Sequence, residues 1–564
     1  MKLILRGCAF LAVAILSNDY AAGAPATAAP PGTSGASGPS AQAGPQTTAT
    51  ATIHVDQPGA KIDRHVYGQF AEHLGHGIDA GVWVGEDSKI PNTRGFRNDV
   101  VAALRELHVP VVRWPGGCFA DEYHWRDGIG PRASRPVTLN TNWGGVPESN
   151  AFGTHEFLDF AQLIGADAYI NANVGTGSPR EMAEWLQYLT SDKPTALTAE
   201  RARNGHPGPW KIAYFAVGNE TWGCGGNMTV DYYIDLFRQY ATFLKTPEGA
   251  RPAIVASGGH DEDTSWAEAL VSKGGLDLSA VTFHYYTLPG EHWRHKGAAI
   301  GFPESEWIST LAHTLRMEDF ISANIAAMDK HDPQKRVAFD VDEWGTWYDT
   351  EPGREPGFLY QQNTLRDAVV AALNFNIFHQ HADRVRMANI AQMVNVLQAM
   401  ILTNGPQMVL TPTYHVFHMF RPFQDATLLP TDLQAPRYSL GAAAVPGVSI
   451  SAARTAAGNI VIALVNLDPG KATPVGISLP GATTGRATSG ATSAAGTPTT
   501  AARTAGAMAR SVTGEILTGS ALDTRNTFEQ PDAIHPTRFT GASLKSGKVS
   551  LTLPPKSIVV LTVE

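Results

Sequence analysis

Cysteine is scarce in this chain of 564 residues, which has three, at positions 8, 118 and 224. A disulfide framework and a cysteine-rich metal centre are therefore excluded as its organising principle. Basic charge is also short, with 43 Lys and Arg against 52 Asp and Glu and a net charge of -9. Nucleic acid would find no positive field here. Beyond the first residues no apolar run is long enough to span a membrane. No Gly-rich dinucleotide fingerprint follows the first strand-like run, and no HExxH spacing occurs. No cofactor and no metal are expected, and a neutral substrate fits the charge at least as well as an ionic one. What is present, 43% hydrophobic and 17% charged residues, is ordinary globular composition and long enough for more than one domain.

The first residues, "MKLILRGCAFLAVAIL", set Lys2 and Arg6 before a short apolar stretch, with small residues after it. This pattern predicts a cleaved signal peptide over 1–24 and export to the periplasm or the medium. Residues 25–50 are almost entirely Pro, Ala, Gly, Ser, Thr and Gln and read as a linker. A strand within 51–66 is predicted to join a C-terminal sheet.

From 67 to 410, eight short apolar runs alternate with helical patterns, such as Val100, Leu104 and Leu107 at i, i+4 and i+7. Ser178, Pro179 and Glu181 spell a capping box with proline at the first helical position. Eight such units predict an α/β fold, a closed (β/α)8 TIM barrel, with an open doubly wound sheet as the competing arrangement. Over 411–564 alternating segments such as "GNIVIALVNL" and "KVSLTL" predict an all-β sandwich, with a loop inserted near 482–507.

Nearly every predicted strand ends in polar residues: Glu72 and His73, Arg113 and Cys118, Asn173, Asn219 and Glu220, His284 and Tyr286, Asp342 and Glu343, Asn389 and Gln392. Trp114, Trp125, Trp222, Trp344 and Trp347 accompany them. Aromatic faces edged by amides and carboxylates suit sugar rings, which are apolar on their faces and hydroxylated at their rims. Glycoside hydrolysis needs one protonated and one ionised carboxyl, and Glu220 and Glu343 end the fourth and seventh strands. Their surroundings are expected to separate their pKa values. "HDED" at 260–263 and the histidines at 379 and 381 read as loop and barrel-surface residues rather than metal ligands. Cys118 and Cys224 fall after the second and fourth strands, as a disulfide or as two cleft thiols; as thiols, only His73 or His284 could serve as an activating base.

The motifs "YGQFAEHLG", "VVRWPGGCFADEYHWRDGIGP", "VGNETWGCGG", "FHYY", "VDEWGTWY" and "ANIAQMVNVLQAM" stand in this order between 67 and 400. Together they resemble the α-L-arabinofuranosidases of glycoside hydrolase family 51. The resemblance implies a barrel joined to a jelly-roll sandwich. It also implies retaining, exo-acting release of terminal α-L-arabinofuranosyl groups. Glu220 matches the general acid/base and Glu343 the nucleophile. Asn219 is implied to bind the sugar 2-hydroxyl, Tyr286 to orient the nucleophile, and Glu72 and Gln392 to hold ring hydroxyls, with Asn389 in support. Cys118, Trp222 and His284 complete the expected substrate contacts. A homo-oligomer, commonly a hexamer, is implied as well. An endo-acting β-glycanase of the same clan and a non-catalytic carbohydrate-binding protein are the alternatives.

Overall fold

The computed structural model describes residues 47–247, 249–290, 292–480 and 511–564. The predicted signal peptide, most of the linker and the insertion near 482–507 lie outside the described residues. No helix among the described residues is long and apolar enough to cross a membrane.

Eight parallel strands close into a barrel in sequence order: β1 (Gly68–Phe70), β2 (Val111–Trp114), β3 (Asp167–Ala172), β4 (Tyr214–Val217), β5 (Ala253–Ala256), β6 (Ala280–Thr287), β7 (Ala338–Thr346) and β8 (Val385–Ile390). β8 returns to β1 through the register Asn389 to Gly68. Both faces of these strands are covered, which explains their nearly continuous apolar character. Val111, Tyr169, Ala216, Val255, Ala280, Ala338 and Met387 fill one layer of the barrel interior. This layer seals the end opposite the strand C-termini.

The predicted helix at Val100 runs Asn98–Glu106, and Leu107 is its C-cap. Only half of the predicted capping box forms on Pro179–Thr190. The Ser178 hydroxyl accepts from the Glu181 N–H, but the Glu181 carboxylate turns to His124 at 2.9 Å.

Two antiparallel-rich sheets form the sandwich, one of five strands and one of six. Lys548–Leu553 alternates exposed and buried residues, as a strand with one face in the core must. Ala49–Ile53 lies in the interior of the five-stranded sheet, antiparallel to Thr431–Gln434 and parallel to Thr473–Ser478. The last linker residues are thus already strand. Helix Leu365–Gln380 is buried on nearly every side because it lies between barrel and sandwich. Its Asn376 and His379 reach Ser449 and Ser451 of the six-stranded sheet at 3.0 and 2.9 Å.

One expectation for 411–564 differs from the structure: Pro412–Phe420 is a helix. Thr411 caps it, Pro412 occupies the first turn, and Phe417 packs on Phe375, Tyr67 and Trp344 of the barrel wall.

Candidate active site

β7 delivers the most crowded part of the site. Successive residues of a strand ordinarily point to opposite faces, yet Asp342 and Glu343 both meet Arg113, at 3.2 and 2.8 Å. The pairing of β7 with β6 shifts between Thr282 and His284, and its pairing with β8 shifts between Val341 and Trp344. Such an irregularity re-aims a side chain, and here it turns both acids inward.

Glu343 accepts from Arg113 at 2.8 Å and from the Tyr286 hydroxyl at 2.8 Å. Burial, with the Glu220 carboxylate adding to it, outweighs the opposing positive charges of His284 and Arg113 and leaves its pKa above the usual carboxylate range. Burial also penalises an ionised Asp342, but Arg113 and His284 outweigh it and hold that carboxyl below the usual range.

Glu220 sits just past β4 with a φ of 39°, a left-handed backbone that costs a non-glycine residue energy. Its neighbours hold it there. The Asn219 N–H donates to the buried Asp121 carboxylate at 2.9 Å, and the Gly223 and Gly225 N–H groups donate to the Glu220 carbonyl at 2.7 and 3.1 Å. Asp121 also accepts from the N–H groups of Val174 and Gly175, which ties the loop after β3 to the loop after β4.

His284 joins the two glutamates. Its Nδ1 lies 2.9 Å from Glu220 Oε1 and 3.5 Å from Glu343 Oε2, and its Nε2 is 3.0 Å from Asp342. Burial alone would lower its pKa, but Glu343, Asp342 and Glu220 overcome that and raise it to about 10. The ring is therefore an imidazolium at neutral pH, donating from both nitrogens.

On the other side of the cleft, Glu72 accepts from the N–H groups of Gly117 and Phe119 at 3.0 and 3.1 Å, from Trp143 Nε1 at 2.8 Å and from Gln392 Nε2 at 2.9 Å. Burial, reinforced by Glu343 and opposed by these hydrogen bonds, raises its pKa to about 7. The "PGG" turn must pass tightly between these groups. A Cβ on Gly116 would meet Glu72 at 2.5 Å, and one on Gly117 would meet Glu343 Oε1 at 2.8 Å.

The structure thus brings Glu220, Glu343, Glu72, Asn219, Tyr286, Gln392 and His284 together, with Arg113 accepted by the Asn219 carbonyl. The remaining expected residues are placed differently. Asn389 is fully buried beside Gly68, which has no side chain to exclude it, and its amide donates to Met387 sulfur at 3.3 Å. No hydrogen bond joins it to Gln392 or to the acids. Trp222 packs on His260 with ring centres 3.9 Å apart and the rings tilted by 37°. Cys118 and Cys224 are joined as a disulfide, with sulfurs 3.9 and 3.4 Å from Glu220 Oε2. No thiol therefore awaits activation, and His73 instead pairs with Glu148 behind the cleft. Trp114, Trp125 and Trp344 are core residues with essentially no exposed surface, so they offer no platform to a sugar. Asn173 folds its own loop through Thr176 and Gly177.

Two contributors escape a reading by strand ends, and two more are found there without their role. Arg113 and Asp342 were visible there, but not as the charges that set the glutamates. Asp121 follows "PGGCF" with no periodicity to mark it. Trp143 arrives from a hairpin, Thr138–Asn140 with Val146–Glu148, whose two conformational glycines, Gly144 and Gly145, are the only local signal.

Comparison with known proteins agrees with this geometry. A profile described as Alpha-L-arabinofuranosidase 1 domain matches residues 103–297, and one described as Alpha-L-arabinofuranosidase C-terminal domain matches 342–557. An intracellular exo-alpha-L-arabinofuranosidase of Bacteroides ovatus is 46% identical over 92% of this chain and 96% of its own. The crystal structure of the GH51 arabinofuranosidase from Xanthomonas axonopodis pv. citri has a TM-score of 0.86 and 51% identity, covering 92% of this chain and all of that one. The Thermotoga maritima alpha-L-arabinofuranosidase arabinose complex follows at TM-score 0.73 and 27% identity, over 92% and 100%. The export predicted from residues 1–24 is corrected by the Bacteroides relative, whose name places it inside the cell. The chain belongs to the α-L-arabinofuranosidases of glycoside hydrolase family 51 and is a glycoside hydrolase.

Proposed function

We propose that this enzyme is a retaining, exo-acting hydrolase that removes terminal non-reducing α-L-arabinofuranosyl residues from arabinose-bearing plant polysaccharides or oligosaccharides. Glu343 is the nucleophile and Glu220 the general acid/base. One observation carries the assignment: ligand atoms of Glu220, His284 and Glu343 all lie within 4.8 Å of one another. Double displacement works with carboxyl groups about 5–5.5 Å apart, whereas an inverting pair needs about 6.5–9.5 Å to admit water.

Arg113 and Tyr286 hydrogen-bond Glu343 and fix the oxygen that attacks the anomeric carbon. Glu220 donates its proton to the departing oxygen, and a covalent arabinosyl-enzyme forms. Glu220 then takes a proton from water, and the second displacement restores the starting configuration. Glu72 and Gln392 hold ring hydroxyls, and Asn219 serves the 2-hydroxyl. His284, which meets only carboxylates, positions the two acids rather than the sugar. The glutamate side chains keep only 17% and 6% of their surface exposed, which favours a chain end over the middle of a polymer. The self-association implied by the family resemblance is read by light scattering, where a hexamer is expected.

A panel of aryl glycosides tests the reading. The α-L-arabinofuranoside should be cleaved with arabinose of retained configuration as the first product seen by NMR. Cleavage confined to β-xyloside and β-glucoside, or an inverted first product, would overturn it.

A further inference from the structure

The mechanism leaves the sulfur pair at the rim unused, although both atoms face the acid/base. Cys224 Sγ lies 3.4 Å and Cys118 Sγ 3.9 Å from Glu220 Oε2, and the three ligand atoms lie within 4.8 Å of one another. A tetrahedral zinc with bonds of about 2.0–2.3 Å holds its ligand atoms about 3.3–3.8 Å apart. The Cys224 separation of 3.4 Å falls within that spacing and the Cys118 separation of 3.9 Å lies just beyond it, so the sulfurs would have to part and Cys118 to move slightly closer to Glu220. The Cα atoms are 5.5 Å apart and belong to loops anchored through Asp121, so the two thiols would stay neighbours once separated. Cys224 is exposed, giving an ion a way in. Glu220 divides its oxygens suitably, with Oε1 engaged by His284 and Oε2 turned to the sulfurs.

We propose that reduction of the Cys118–Cys224 disulfide converts this rim into a site for one thiophilic divalent cation, bound by Cys118, Cys224 and Glu220, and that its occupancy switches hydrolysis off. A small dithiol supplies the two electrons and two protons: it is oxidised to its own disulfide, and the enzyme gains two thiols. Binding of one zinc then releases both thiol protons, together with the proton that Glu220 carries as the acid, and leaves two thiolates and a carboxylate on the metal. A metal on Oε2 denies Glu220 the proton it must donate. That consequence rests on the acid/base reading of Glu220, whereas binding itself does not.

The test uses the full chain, oxidised or reduced with dithiothreitol and freed of reductant without air, titrated with zinc by calorimetry and by hydrolysis of an aryl α-L-arabinofuranoside. The reduced protein should bind one zinc, lose activity at least about tenfold and recover it with chelator. The oxidised protein and reduced Cys224→Ser should bind at least about 100-fold more weakly, since each lacks thiolate ligands. Equal affinity in oxidised and reduced protein would overturn the site. So would undiminished affinity in Cys224→Ser, which would put the ion on Glu220, His284 and Glu343 instead. Stoichiometric zinc with unchanged turnover would overturn the switch and also count against Glu220 as acid/base, while loss of binding would leave that reading untouched.

Discussion

The two ends of the barrel interior are a few residues apart along each strand and chemically opposite. At one end Val111, Val255, Ala280 and Met387 form a buried apolar layer. At the other, Arg113 and His284 are the two cations among Glu72, Glu220, Asp342 and Glu343. β2 passes from Val111 to Arg113 in two steps. The apolar end contributes stability through burial. The polar end holds buried charges that offset one another only while all are present, so losing one member costs more than its own contacts. An enzyme that must keep an ionised nucleophile in a water-poor cleft needs both ends: one to make the cage rigid, one to tune what it holds.

Substitutions sharpen this contrast in graded steps. Glu343→Ala should remove the covalent step and cut kcat by at least about 10⁴-fold with the far-UV circular dichroism unchanged. Activity near wild type would take Glu343 out of the mechanism. Glu220→Ala should lower the rate by about 10²–10⁴-fold on substrates with poor leaving groups, less on dinitrophenyl arabinofuranoside, and azide should rescue it. Uniform loss without rescue argues against an acid/base role.

Arg113→Ala leaves Asp342 and Glu343 with only one of their two shared cations, His284, and a loss of about 3–5 kcal/mol in urea unfolding is expected. His284→Asn tests the pH dependence. Its folded-state pKa of about 10 stands above the ordinary 6.5, so its contribution to stability is fully present below about 6.5 and fades as pH rises through about 10. The gap in melting temperature between wild type and variant should therefore narrow between those values. A gap that widens with pH would mean that the ring is neutral in the fold.

The sandwich supplies the mildest case for activity. Leu551, in its core, should cost about 2–5 kcal/mol as Leu551→Ala while leaving kcat and KM as they are.

Much of this was legible in the amino-acid order. Barrel strands buried on both faces show as unbroken apolar runs, and a carboxylate after such a run has few places to go but the mouth. That logic reaches Glu220 and Glu343 directly. It fails where position depends on a partner distant in sequence. The tryptophans at 114, 125 and 344 carry the same local signal as Trp222, yet they point behind the barrel wall, and only the packing of Phe157, Trp185 and Phe417 decides that. Asn389 follows the same strand-end pattern and points into the barrel at Gly68 instead of into the cleft. The inward turn of two consecutive acids on β7 depends on register shifts with both neighbouring strands, which no single segment encodes. Pro412–Phe420 shows the reverse case: Thr411 and Pro412 were a readable start, masked by the aromatic run behind them.

The placement of Ala49–Ile53 bears on how the molecule is built during synthesis. This strand emerges from the ribosome before any of the barrel, but its sheet neighbours are residues 431–434 and 473–478. It must wait, unpaired, while more than three hundred residues are translated. The barrel has its whole sequence available long before the sandwich can assemble around that waiting segment, so a stop codon before residue 431 would leave the first strand without either of its sheet neighbours. A tag or a cut placed within residues 49–53 would disturb the far end of the protein rather than the near one.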